Sequence, residues 1–439
     1  MSSSLRFDIR RTPLPVAAIA LLIALAGCSP ENTPSAPIGN TPVVPEIELP
    51  GTVRISDSVS LAQFVVPGNN RAIPLVFDGP IIGGTSASSA VAPEDELKLS
   101  LDVEVKPPEV NGALLQATHI ATNGVWVYVT YAQIGEGTAG AVDVMYVSPQ
   151  NDLKLVSRIA LDNTEYYGVT VANDVLYLVG ATDDPKLDER AVLDVVRLRD
   201  GQMFERIRSR RISLPSFAGT GVHVQNGLVW VTSGSGGRGV GGLTVLSEKD
   251  LSEVTRERFE DARAVHGSGA YVVVFSGTPG RARVYDAERA RQLGPVVDVG
   301  GAGIPESKGT AWVEGDWAFL GAGDGGAKMM SLTPRGGVVA GEGIPTPELD
   351  GVPRDLSTTN AVTTDRNGLI ITASGETGVH IHASNHLRFK PGSADAKPEV
   401  SRLGRLDFGS RISANFVAGD RSRIFVASGL GGLKIVRIE

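Results

Sequence analysis

One unit recurs seven times along this chain, and few folds are open to a chain built that way. It reads "ATNGVWVYVTY" at 121–131, "VANDVLYLVG" at 171–180, "VQNGLVWVTSG" at 224–234 and "HGSGAYVVVFSG" at 266–277. It returns as "VEGDWAFLGAG" at 313–323, "TDRNGLIITASG" at 364–375 and "GDRSRIFVASG" at 419–429. Each copy has a polar or glycine turn followed by a short apolar run, which is the signature of a hairpin entering a buried strand. A short strand precedes each copy, such as "THIA" at 118–121, and a third follows it. A fourth, such as "LKLVSRIAL" at 153–161 or "VSRLGRLDF" at 400–408, completes most units. Four short strands in roughly 50 residues make one blade of a β-propeller.

The fold expected is therefore all-β, a seven-bladed β-propeller of four-stranded blades over residues 97–439. The seventh unit stops at its third strand, "GLKIVRI". The alternating run "LKLSLDVEV", 97–105, has no earlier strands of its own, so it is expected to pair with the last unit and close the ring. Residues 51–96 are expected to form an N-terminal extension, as a lid or as packed strands. Composition agrees with short strands and tight turns: 53 Gly stand against 12 Phe, 8 Tyr and 4 Trp. The formal charge of -8, with no long basic tract, argues against a nucleic-acid partner, which needs clustered cations for its phosphates.

The N-terminus carries Arg6, Arg10 and Arg11 and then an almost uncharged run to Gly27. A basic segment before a short apolar one is a secretory signal. Leu25-Ala26-Gly27-Cys28 resembles the lipobox of bacterial lipoproteins, and Cys28 is the only cysteine. The resemblance implies a signal peptide over 1–27, lipidation at Cys28 and a membrane partner through the acyl chains. Ser29 after the cysteine is compatible with transfer to a bacterial outer membrane, with the body periplasmic or surface-facing. Residues 28–50 then read as lipid anchor and proline-rich spacer, since proline blocks helix and central strand alike.

Three stretches carry a second likeness: "GSGAYVVVFSGTPGRARVYD" at 267–286, "GLIITASGETGVHI" at 368–381 and "SRIFVASGLGGLKIVRI" at 422–438. They resemble LVIVD repeat proteins. The resemblance covers roughly the propeller region and implies an extracytoplasmic, often membrane-anchored β-propeller. It brings no catalytic residues. The aspartate that closes the motif is present as Asp286 but is replaced by Ser247, Ser331, Ala383 and Arg437 in other units.

No nucleophile elbow, zinc-protease helix, phosphate loop or dinucleotide fingerprint occurs, and no cofactor is implied. First strands line the channel of a propeller, so His119, His223, Arg263, Asn360 and Asn415 are the candidate binding residues. The alternative for them is a hydrated channel wall. His380, His382 and His386 are weak metal candidates, two of them on one strand face, with polar turn residues as the alternative. The function expected is a non-enzymatic binding or scaffold module for an envelope protein or a glycan. The alternative is an extracytoplasmic hydrolase or lyase acting on a sugar, lactone or polysaccharide. A structural surface-layer role ranks third.

The anchor generates the first prediction. The mature wild-type chain partitions into the detergent phase of a cloud-point extraction, and Cys28→Ser moves it to the aqueous phase. Equal partitioning of the two would sink the lipid reading.

Overall fold

The computed structural model describes residues 44, 46–49, 52–55, 60–76, 97–150, 152–202, 208–234, 240–304, 307–388, 398–410 and 412–439. The leader, Cys28 and nearly all of the spacer lie outside these residues.

The fold is a seven-bladed β-propeller. Its innermost strands are Gln116–Asn123, Thr164–Ala172, Ala218–Gln225, Ala262–Ser268, Thr310–Glu314, Ala361–Thr364 and Phe416–Gly419, one for each of blades one to seven. Each is joined to its second strand by a hairpin. The hairpins of blades two and three show why the sequence turns there. Asn173 and Asp174 have φ of 50° and 56°, and Asn226 and Gly227 have φ of 55° and 73°. Two consecutive left-handed residues are the requirement of a tight turn that matches strand twist.

A strand sends alternate side chains to opposite faces, and this alternation builds the core. In blade one, Val127 and Val129 pack toward blade seven, with Phe425 and Ile435, while Tyr128 packs toward blade two, with Leu176 and Leu178. The same division repeats around the circle. Seven separate apolar clusters of described residues fill the seven interfaces, including that between blades seven and one.

The expectation of uniform four-stranded blades closed by one N-terminal strand is corrected here. Among the described residues four of the seven blade sheets have five strands, and none of the sheets is closed. Leu99–Val105 pairs with Leu433–Ile438 in blade seven, but Val65–Ala72 pairs on its other side, so it is an interior strand rather than the closing edge. The segment read as spacer is corrected at its end, where Glu46–Glu48 is an outer strand of blade two, and the N-terminal extension supplies the outer strands Thr52–Ile55 to blade one and Leu75–Val76 to blade six. The physical reason is the open outer edge. A four-stranded blade exposes a row of unpaired backbone groups, and short β-prone pieces of the extension pair with them. Residues 77–96 lie outside the described residues.

Buried ion networks brace blades one and two. Asp194, fully buried, accepts hydrogen bonds from Arg211 Nε at 2.9 Å and Nη2 at 2.7 Å, from Tyr166 Oη at 2.7 Å and from Ser209 Oγ at 2.9 Å. Asp143 repeats the arrangement with Arg158 and Tyr131. Burial and the adjacent carboxylate hold the Tyr131 and Tyr166 phenols well above their ordinary range, burial being the larger cause. Removing one member of such a network strands a buried charge. Asp194→Ala should therefore cost about 3–5 kcal/mol in urea unfolding, whereas Tyr166→Phe, which removes a neutral donor, should cost only about 1 kcal/mol. Equal losses would refute this account of the network.

Candidate functional site

The inner strands enclose a central cavity of about 670 Å³. Its wall is mostly backbone and small apolar side chains, interrupted by a few chemically capable residues: His119, His266, Lys308, Arg366 and Arg421, with Trp312 and Phe416 as aromatic surface.

β-Bulges shape this wall. The pairing of first and second strands shifts around Thr118 in blade one, Tyr167 in blade two, Thr220 in blade three and Arg263 in blade four. A bulge re-aims the side chain of the extra residue, and three of these four are used to latch one blade to the next. Thr118 Oγ1 donates to Tyr166 O at 2.7 Å, Thr220 Oγ1 to Ala262 O at 2.8 Å and Arg263 Nη1 to Ser307 O at 2.7 Å. Asn360 Nδ2 donates to Ala414 O at 3.2 Å and Asn415 Nδ2 to Ala117 O at 2.9 Å, continuing the latches from blade six to seven and from seven to one.

The residues singled out in the sequence are therefore placed as follows. Arg263 lines the cavity, but its guanidinium is also held by Asp261 at 2.7 Å and by Thr278. Asn360 and Asn415 are latches and do not line the cavity. His119 lines it, with its ring tilted onto Phe416 at 3.8 Å and its buried Nδ1 without a hydrogen-bond partner. His223 stands just behind the wall, its Nε2 3.1 Å from Gln225 Oε1 and its ring 4.9 Å from that of His266.

His266 extends this arc. Its ring stacks on Trp312 at 4.5 Å, and Nδ1 accepts the Val313 N–H at 3.0 Å, which leaves the ring proton on Nε2. Burial pushes all three histidines down, His223 to about 4. The charge of Lys308 adds to the effect at His119, and that of His223 at His266. None of the three rings meets a carboxylate among the described residues.

Lys308 precedes the inner strand of blade five, and its ammonium donates to Thr118 O in blade one. Those blades are not neighbours, so the side chain crosses the channel. It has no carboxylate partner among the described residues, and burial lowers its pKa from 10.5 to about 7. At the hairpin end of the cavity, Arg366 and Arg421 are exposed and make no hydrogen bond or ion pair with another described residue. The one carboxylate on the wall among the described residues, Asp420, is occupied by its own turn, accepting from Ser422 N and Arg423 N at 2.7 Å. Away from the cavity, Glu165 is raised to about 7 by burial and accepts a hydrogen bond from the Tyr167 hydroxyl; neither residue lines the cavity.

The three weak metal candidates are buried between blades five and six. His386 meets Phe319 edge-on at 5.0 Å, His380 Nδ1 accepts from Arg402 at 3.2 Å, and the Nε2 atoms of all three lack partners. Among the described residues no three His, Cys, Asp or Glu side chains gather as a metal-binding group.

Lys308, His266, Arg366 and Arg421 escaped the reading of the sequence. His266 stands two residues ahead of its turn residue Ser268, a weak signal. Lys308 lies before a strand, where periodicity says nothing.

Neither a family model nor a curated protein matches the sequence. Solved structures resemble its fold. The hydrazine synthase of Kuenenia stuttgartiensis aligns with a TM-score of 0.51 at 13% identity, over 75% of this chain and 99% of that one. A catalytically inactive virginiamycin B lyase from Staphylococcus aureus, in a structure with quinupristin, aligns with a TM-score of 0.48 at 11% identity, over 78% of this chain and 100% of that one. At these identities the likeness is one of fold alone.

The buried histidines make the fold acid-sensitive. Their folded pKa values lie below the ordinary 6.5, with His382 at about 3 and His223 at about 4. The unfolded chain therefore binds more protons, and stability falls as pH drops below about 6.5 toward those values. The urea midpoint should decline between pH 7 and pH 5, and His382→Leu should flatten the decline. A leucine there gives up no hydrogen bond at Nε2. An unchanged slope in the variant would refute the assignment.

Proposed function

We propose that the propeller is a ligand-binding module carried on the cell envelope, and that its central channel takes a small anion, with a carboxylate-bearing glycan or sugar acid as the class favoured. The observation that carries this is the charge at the cavity. A chain of net charge -8 turns Lys308, Arg366 and Arg421 toward this cavity, and Asp420, the one carboxylate there among the described residues, is committed to a local turn. In a concave, partly dry site such charges act more strongly than in bulk water. The envelope setting is supported by the leader and Cys28, by the spacer and by the likeness to LVIVD repeat proteins. Lipidation, an outer-membrane location and membership of that family belong to this proposal.

A second reading is a hydrolase or lyase acting on a sugar, lactone or polysaccharide. Lys308 favours it, because burial lowers its amine to about 7, and a general base works best with a pKa near the operating pH.

One experiment tests both readings. Calorimetric titration with galacturonate and with galactose compares an anion with its neutral counterpart. Galacturonate should bind, galactose should not, and the Arg366→Ala/Arg421→Ala double variant should weaken binding about tenfold, or about 1.4 kcal/mol. Equal affinity for the two sugars would refute the anionic channel. Product appearing in the same samples from an oligogalacturonate, abolished in Lys308→Met, would move the assignment to the enzyme.

A further inference from the structure

Lys308 is an unusual thing for a channel to hold. It is half-buried in the cavity wall, crosses the lumen to a carbonyl oxygen of a blade that is not its neighbour, and meets no carboxylate among the described residues. A lysine whose task was structural would be expected to bring a counter-charge, as Lys434 does with Glu104 at 2.9 Å in blade seven. Thr118 O can accept a hydrogen bond but cannot neutralise an ammonium, so the arrangement suits the uncharged amine. The same wall carries His119, whose Nδ1 has no partner, and the cavity has room for a ligand of several carbon atoms beside them.

We propose that Lys308 is a carbonyl-capturing amine, which forms an imine with an aldehyde or 2-oxo acid held in the channel. The inference rests on the anionic reading of the site for the carboxylate of that ligand. The chemistry balances without any further reagent. The Nζ lone pair adds to the carbonyl carbon while the π pair moves to oxygen. The nitrogen pair then expels that oxygen, forming the carbon–nitrogen double bond. Both amine protons leave with the oxygen as water. Desolvation of a lysine in an apolar wall is a recognised way to make its amine nucleophilic, and the lowering to about 7 agrees with it.

The test uses glyoxylate, which carries both an aldehyde and a carboxylate, with cyanoborohydride to reduce any imine and peptide mapping to locate it on the full-length wild-type chain. Glycolate, which lacks the carbonyl, serves as competitor. Lys308 should be modified at least tenfold faster than any other lysine, and glycolate should suppress that modification alone. Lys308→Arg should lose the fast site and keep the slow background. Uniform labelling of the lysines overturns the proposal. So does protection of the channel by glycolate, seen calorimetrically, with no adduct on Lys308; the anionic reading then survives without the imine. Fast labelling of Lys308 that glycolate cannot suppress supports the imine and overturns the anionic reading instead. The wild-type mapping needs no variant, so a folding defect in Lys308→Arg leaves the result intact.

Discussion

A four-stranded blade has two apolar faces, and in this ring each is covered by a neighbouring blade. Everything else in the molecule follows from that need. Period-two alternation divides each second strand between two interfaces, as Tyr128 and its neighbours Val127 and Val129 divide between blades two and seven. Burial of apolar surface is non-directional, so it favours stacking without fixing how one blade sits on the next. The hydrogen bonds from Thr118, Thr220, Arg263, Asn360 and Asn415 to carbonyls of the following blade supply direction. They lie on the innermost strands, where blades converge, and so they also set the shape of the channel.

This arrangement separates stability from the site. The apolar clusters and the Asp143 and Asp194 networks lie within and between blades, while the cavity wall is backbone, small side chains and a handful of projecting groups. A lysine without a counter-charge costs stability wherever water is excluded. Lys308 lies outside the seven apolar clusters of described residues that fill the interfaces.

The seven units were legible because a turn residue followed by an apolar strand is a local signal, repeated at nearly constant spacing. The extra outer strands were not. Glu46–Glu48 and Thr52–Ile55 are short, and their partners, Arg208–Ser213 and Leu153–Leu161, lie far along the chain. Nothing in a local pattern links such pieces. The channel was half legible for a different reason. Arg263, Asn360 and Asn415 were sought as lining residues; Arg263 lines the cavity and the two asparagines do not, and a bulge of one residue breaks the alternation on which facing is judged. At Arg263 that bulge sends the guanidinium into the next blade, and the side-chain amides of Asn360 and Asn415 are likewise turned to a neighbour's carbonyl. Lys308 stands outside any strand and depends on a contact to Thr118 across the ring.

The charge at the cavity has a consequence for how the site works. Burial lowers the pKa of Lys308 to about 7, whereas a guanidinium is in general not deprotonated in proteins. The arginines at the hairpin end therefore form a permanent attraction for an incoming anion, and the amine deeper inside is the variable element. An anion drawn inward would itself favour the charged amine, since an opposite charge raises a lysine pKa as burial lowers it. Binding and protonation of Lys308 are thus linked. A ligand that offers only a carboxylate would be held as an ion pair with the ammonium. A ligand that also offers a carbonyl would meet the fraction of amine that is unprotonated. On the proposed chemistry the channel would distinguish them by reactivity, through one side chain whose pKa burial lowers to about 7.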